Sequence, residues 1–160
     1  RRKFARITKF LYICSMNNTE WIYKDKPFEI KDLDQYWGFV YKITNLKTQE
    51  FYIGSKSFFN RTNGKISKKR SNELYSGKGR KPIREKKIKE SDWKIYKSSS
   101  KKVQNMINEN PQDFQYEILT CFKTKAEMLL FEAMLIIEHF FYRDKRILND
   151  WISIKSFKLE

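Results

Sequence analysis

The sequence predicts an α+β domain, with a small three-stranded, mainly antiparallel sheet flanked by helices. Three observations carry that expectation. Two runs of β-branched and aromatic residues, Gly38-Phe39-Val40-Tyr41-Lys42-Ile43-Thr44-Asn45 and Phe51-Tyr52-Ile53-Gly54-Ser55-Lys56, flank the polar link Leu46 to Glu50. That is the pattern of a β-hairpin with a longer loop. A third such run, Phe114 to Phe122, reads as another strand. Thr124-Lys125-Ala126-Glu127 then forms a capping box that opens the longest apolar stretch of the chain, which reads as a helix.

Taken in order, residues 1 to 15 are basic and apolar, and only loosely like a secretion signal, because Thr8 and Lys9 interrupt the apolar run. Met16 to Thr19 would make a natural translation start. Residues 1–20 are therefore expected to be a disordered extension, and 21–160 a single domain. Trp21-Ile22-Tyr23 and Phe28-Glu29-Ile30, around a turn at Pro27, form an extended arm expected to pack on the hairpin edge. In the first hairpin strand Tyr41 and Ile43 share one face, with Val40 and Lys42 on the other. Tyr41 and Tyr52 can then lie close together. Gly54, ending the second strand, lets another group approach the backbone closely. Serines 98 to 100 precede Val103, Met106 and Ile107 at helical spacing, so a serine-capped helix is expected there, ended by Pro111. From Met128 to Phe141 the only charged residues are Glu132 and Glu138, with His139 beside the second, so this helix is expected to be buried on nearly all sides.

Composition narrows the chemistry. In 160 residues, 34 Lys and Arg stand against 19 Asp and Glu, a net charge of +15. Such a balance points to a polyanionic partner, nucleic acid first and a membrane surface second. Residues 61–102 alone hold 16 Lys and Arg and four Asp and Glu. This basic insert, with Gly64, Gly77, Gly79 and Pro82, reads as a charged loop or a surface helix with a flexible segment. Placed beside the hairpin, it is suited to tracking a phosphate backbone. Lys65, Lys68, Lys69, Arg70, Arg80, Lys81, Arg84 and Trp93 are its candidate DNA contacts. No apolar run is long enough to span a membrane. Cys14 and Cys121 form no metal pattern and suit a reduced, cytoplasmic setting. With one histidine, His139, catalysis must rest on Tyr, Lys, Arg and carboxylates.

Glu132 is the most informative of these. A lone carboxylate inside an apolar helix costs several kcal/mol unless paired or bound to a cation. It is either a salt-bridge partner of Arg or Lys, or the single carboxylate ligand of a hard divalent ion such as Mg²⁺, completed by waters and phosphate oxygens. Glu138 lies on another face.

Gly38-Phe39-Val40-Tyr41 and Tyr52-Ile53-Gly54 resemble the two signature segments of the GIY-YIG nuclease superfamily, the first with one extra residue between glycine and tyrosine. The likeness extends over about residues 38 to 150. It implies a GIY-YIG-like fold, with Glu132 as the metal-binding glutamate on the helix after the third strand, and Asn149 as the asparagine closing the domain. It also implies an arginine at the start of the first helix, where Arg61 stands, with Arg70 as the alternative. Trp21-Ile22-Tyr23 with Lys26-Pro27, and Ser91-Asp92-Trp93-Lys94 with Tyr96 and Ser98-Ser99, look like bacteriophage-encoded, homing-type members; Tyr96-Lys97-Ser98 departs from them where they tend to place a glycine.

The resemblance implies a metal-dependent endonuclease acting on double-stranded DNA, monomeric or homodimeric. Glu132 would hold Mg²⁺ or Mn²⁺. Tyr41 would be the general base or orient the attacking water. An ordinary tyrosine pKa of about 10 is too high for a base at neutral pH unless a cation stabilises the phenolate. Lys56 is preferred over Lys42 for that part, since Lys42 points to the opposite strand face. Arg61 would bind the pentavalent phosphate, Tyr52 would hydrogen-bond the water or the phosphate, and Asn149 would brace the site. The rival is a non-catalytic nucleic-acid-binding protein that stacks bases on Trp93, Tyr96 and Tyr75.

Overall fold

The computed structural model describes residues 20–29 and 33–152. The expected extension over residues 1–20, Glu20 apart, and the last eight residues lie outside them. In chain order the elements are β1 (Ile22–Tyr23), β2 (Lys26–Pro27), β3 (Gly38–Asn45), β4 (Phe51–Ser57), β5 (Phe59–Lys65), α1 (Lys68–Glu73), β6 (Arg84–Glu90), α2 (Lys101–Glu109), β7 (Phe114–Phe122) and α3 (Lys125–Phe141).

The expected mixed α and β class is what forms, but the main sheet has five strands rather than three, in the order β2-β1-β7-β3-β4. β3 pairs antiparallel with both β4 and β7, so its two edges are filled. The N-terminal arm pairs with the edge of β7 and not with that of the hairpin, while Trp21 packs on the faces of Phe39 and Tyr41: β1 joins β7 in parallel, Ile22 opposite Glu117, and turns back antiparallel into β2. Two-residue strands carry no alternation to read, which is why only the body of the sheet shows in the sequence.

The hairpin closes as its residues dictate. Asn45 Oδ1 accepts from the backbone N–H groups of Lys47 and Thr48, and Gln49 takes φ 62° to turn the chain into β4. A bulge between Val40 and Tyr41 shifts the β3–β7 register, so that Val40 faces Thr120 and Tyr41 faces Ile118. Each sheet face then builds its own core. On one, Phe39, Tyr41 and Ile43 pack with Trp21, Phe58, Trp93, Val103 and Ile107. On the other, Val40, Phe51 and Ile53 pack with Met128 and Ile136 of α3.

Both long helices begin at their expected caps. Ser100 Oγ accepts from Val103 N–H, and Thr124 Oγ1 accepts from Glu127 N–H. α3 is nevertheless not buried all round. The sheet covers the stripe of Met128, Ala133 and Ile136, while Leu130, Met134, Ile137 and Phe141 stay exposed. One flat sheet face can cover only one stripe of a helix.

The basic segment is also more ordered than its composition suggests. β5 and β6 form a separate two-stranded antiparallel ribbon, with α1 and a connection bearing Gly77 and Gly79 at positive φ between them. Lysine, asparagine and threonine at its strand positions hide the alternation that marks a strand.

Within the main sheet, Tyr41 lies directly opposite Gly54. A Cβ on Gly54 would stand 2.6 Å from Tyr41 Cζ, and closer still to its hydroxyl. Gly54→Ala should therefore lower stability by about 1–3 kcal/mol, the usual range for overpacking. Urea unfolding checks this, and an unchanged midpoint would mean that Tyr41 can move aside.

Candidate active site

The outer edge of β4 is where the candidate residues gather. Alternation sends Tyr52 and Lys56 to one sheet face and Ser55 to the other. The chain after α3 returns along this edge. Phe51 N–H donates to Arg146 O, and Leu148 N–H donates to Phe51 O. Asn149 continues the ladder with its side chain: Oδ1 accepts from Ile53 N–H at 2.9 Å, and Nδ2 donates to Ile53 O at 2.8 Å. Asn149 thus takes the place of a neighbouring strand at Ile53.

Beside this edge lies a cleft of about 650 Å³, lined by Tyr52, Ser99, Lys101, Lys125, Glu132 and Asn149 among others. Glu132 reaches it from α3. Its Oε2 accepts from Ser55 Oγ at 2.7 Å, and among the described residues it forms no ion pair. Burial raises its pKa above the ordinary 4.5, opposed by the Ser55 hydrogen bonds. Of the two alternatives open in the sequence, a salt bridge is not what forms.

Tyr52 Oη lies 3.0 Å from Ser99 Oγ, next to the N-terminus of α2. Its pKa is raised, mainly by burial. The Tyr41 ring lies 6.4 Å from that of Tyr52 and 6.0 Å edge-on from Tyr96. Tyr41 is fully buried, and among the described residues its hydroxyl has no partner in hydrogen-bonding geometry, although the Tyr96 phenol adjoins it. Burial first, then the Tyr96 and Tyr52 phenols and the Glu132 carboxylate, push its pKa well above 10. Burial therefore disfavours a phenolate at Tyr41. The expected cation beside it is also engaged elsewhere. Lys56 Nζ is 2.6 Å from Asp92 Oδ1 and 3.8 Å from the centre of the Tyr96 ring, while Lys42 Nζ lies over Phe51 on the α3 side.

Arg61 is not at a helix start. It lies on β5, its guanidinium 3.9 Å from the centre of the Trp37 ring. The first helix begins only at Lys68, because the chain enters the ribbon directly from β4. Arg70 is on α1, paired with Glu73 and Glu85. Lys65 and Arg84 stand opposite each other on the ribbon, Lys68 and Lys69 are on α1, and Arg80 and Lys81 lie in the connection. All six are exposed. Trp93 departs from its expected role as a DNA contact. It is buried among Phe28, Phe39 and Phe58, and its indole N–H donates to Glu90. An aromatic ring in a basic segment packs inward when a core lies beneath it. Tyr96 was expected only as a base-stacking residue of the rival reading, and Ser55, Asp92, Ser99 and Trp37 were not singled out as site residues. Only the run Gly54-Ser55-Lys56 and the helix-capping serines hinted at two of them.

Comparison with family models matches residues 21–151 to the family described as "Putative endonuclease segE, GIY-YIG domain". Comparisons with curated proteins and with solved structures give no match.

Two substitutions probe this geometry. Tyr41→Phe removes a buried hydroxyl that has no partner in hydrogen-bonding geometry among the described residues, so stability should hold or rise by up to about 1 kcal/mol; a loss larger than that would reveal a hydrogen bond in solution. Asn149→Ala strips both partners from Ile53 at the sheet edge and should cost about 1–3 kcal/mol. Denaturant midpoints read both effects.

Proposed function

The chain belongs to the SegE-type GIY-YIG endonuclease family, and we propose on that footing that it is a metal-dependent endonuclease hydrolysing phosphodiester bonds in double-stranded DNA. The observation that carries this reading is Glu132: a carboxylate at the wall of a cleft, partly desolvated, held by a serine and without a counter-ion among the described residues. This donor set fits a hard divalent ion, Mg²⁺ or Mn²⁺, which commonly takes one or two carboxylates and fills its other positions with water and phosphate oxygens. Among the described residues no cluster of three or more His, Cys, Asp or Glu offers an alternative metal site. Bound there, the ion would polarise a phosphate oxygen and stabilise the leaving oxygen.

The chain's own groups take the remaining parts. Tyr41, kept neutral and closed off from the cleft by burial, supports the Tyr52 ring from behind. Tyr52, at the cleft wall, hydrogen-bonds the water or the phosphate. Arg61 presents a planar donor fork to the developing phosphorane charge, its orientation fixed by stacking on Trp37. Lys101, Lys102 and Lys125 line the cleft and favour the approach of a polyanion. Asn149 keeps the β4 edge in place, and Lys56 positions Tyr96 beneath it. The described residues contain no helix long and apolar enough to cross a membrane. The reading implies a cytoplasmic setting, where duplex DNA and Mg²⁺ are both present.

Plasmid nicking with Mg²⁺ or with EDTA is the direct test. Glu132→Gln should abolish metal-dependent nicking and leave the fold intact. The native state raises the Glu132 pKa, so below about pH 4.5 the residue is protonated in both states and costs nothing. As pH rises above that ordinary value the unfolded chain ionises first, so stability falls, and the loss is complete once pH has passed the raised native value. Glu132→Gln should therefore melt higher than wild type at neutral pH, with the gap closing toward acid. A variant that melts much lower at neutral pH, or still cuts, sinks the assignment.

Arg61 and Arg70 separate in the same assay. Arg61→Ala should remove cleavage while largely sparing DNA binding, because it acts on transition-state charge. Arg70→Ala should retain cleavage. The reverse pattern would transfer the role to α1.

A further inference from the structure

We propose that the β5–β6 ribbon enters the major groove of duplex DNA, presenting the face formed by Arg61, Asn63, Lys65, Arg84, Lys86 and Ile88. The proposal rests on the nuclease reading above and adds how the duplex is held.

The register decides which side chains share a face. Residues directly opposite in an antiparallel pair point the same way. Arg61 faces Ile88, Asn63 faces Lys86, and Lys65 faces Arg84, so these six form one surface. All six are exposed, Ile88 at 65%. Among the described residues Lys65, Arg84 and Lys86 form no ion pair. The one carboxylate on this face, Glu90, lies at the ribbon base and is tied to Lys94 and Trp93. The opposite face carries Glu85, which α1 engages through Arg70. The opposite face is thus engaged by α1 at its far end only, with Lys87 and Lys89 exposed along the rest of it, while the Arg61–Arg84 face carries cations and no engagement by α1.

A two-stranded ribbon open on both sides gains little from its own burial and is marginal in water. This one is anchored at its base, where Ser91 N–H donates to Phe58 O and Ser91 Oγ donates to Ser57 O. Its free length is seven residues a strand, roughly 23 Å at about 3.3 Å per residue. With strands about 4.8 Å apart it fits the B-DNA major groove, about 12 Å wide, and not the minor groove of about 6 Å. The deep, narrow major groove of A-form RNA excludes it. The chemistry of the face suits a groove floor. Asn63 can read an adenine edge, Arg84 and Lys86 guanine edges or flanking phosphates, and Ile88 a thymine methyl group. The position suits the reaction. β5 follows β4 directly, and Arg61 stacks on Trp37, which packs with the α3-side core that also carries Glu132.

Binding of wild-type protein in EDTA to a labelled 30-base-pair duplex tests the proposal without any cleavage. Prior saturation with methyl green, a major-groove ligand, should weaken binding at least about tenfold, a change of roughly 1.4 kcal/mol. Netropsin, a minor-groove ligand, should have little effect. The exposed triple variant Asn63→Ala, Arg84→Ala, Lys86→Ala should bind at least about tenfold more weakly, and its salt slope should fall by about 0.9 per cation removed. Lys87→Ala with Lys89→Ala, on the other face, should cost clearly less. A matched RNA duplex should bind no better to wild type than to the triple variant. The proposal is overturned if netropsin competes instead, if the triple variant binds DNA as wild type does, or if the Lys87 and Lys89 pair matters more. Nicking separates the two readings: a triple variant that binds and cuts unchanged overturns the ribbon and leaves the nuclease standing. Ribbon-dependent binding with no cleavage does the reverse.

Discussion

Tyr41 and Gly54 form the contact on which the rest of the site depends. β3 has no free edge, so every side chain on it must pack against a sheet face, and Tyr41 falls on the aromatic one. The phenol then needs the space above its cross-strand partner. Only a residue without a side chain leaves that space. Main-chain sterics, and not a polar network, therefore fix how the Tyr41 hydroxyl stands relative to Tyr52. Asn149 adds the complementary restraint by replacing a neighbouring strand with two hydrogen bonds to Ile53.

Much of this was legible in the sequence, for identifiable reasons. The β3–β4 hairpin, β7 and the starts of α2 and α3 announce themselves through local patterns: alternation, a turn-forming Asn45, and serine or threonine caps. Glu132 stood out because a carboxylate among apolar residues must be accounted for. What failed to show depends on long-range packing. Trp93 reads as a nucleic-acid contact by its neighbours in sequence, yet the aromatic cluster of Phe28, Phe39 and Phe58 draws it inward. Lys56 reads as a partner for Tyr41, yet Asp92 lies 36 residues away in sequence and 2.6 Å away in space. The ribbon escaped notice because nothing covers it, and a strand that buries neither face has no hydrophobic alternation to display.

Charge and burial divide between two parts of the molecule. The main sheet and the α3 helix packed on it hold the groups whose protonation is perturbed by desolvation, Tyr41, Tyr52, Tyr116, Cys121 and Glu132. The ribbon and α1 hold cations in open water, where their attraction for phosphate is long-ranged but screened by salt. A polyanion is drawn first by the exposed cations. It then meets a cleft whose polar groups are few, fixed and poorly hydrated, where each hydrogen bond counts for more.

The ribbon's independence has an evolutionary consequence. Its side chains hold up almost nothing: Arg84, Lys86, Lys87 and Lys89 are exposed, and the strands pair with each other and not with the main sheet. Substitutions there escape the stability threshold that constrains Phe39, Ile53 or Ile118. Apart from Arg61, the ribbon can therefore accept substitutions at little cost to the core. The fold thus separates residues that stability constrains from residues that it leaves free to vary.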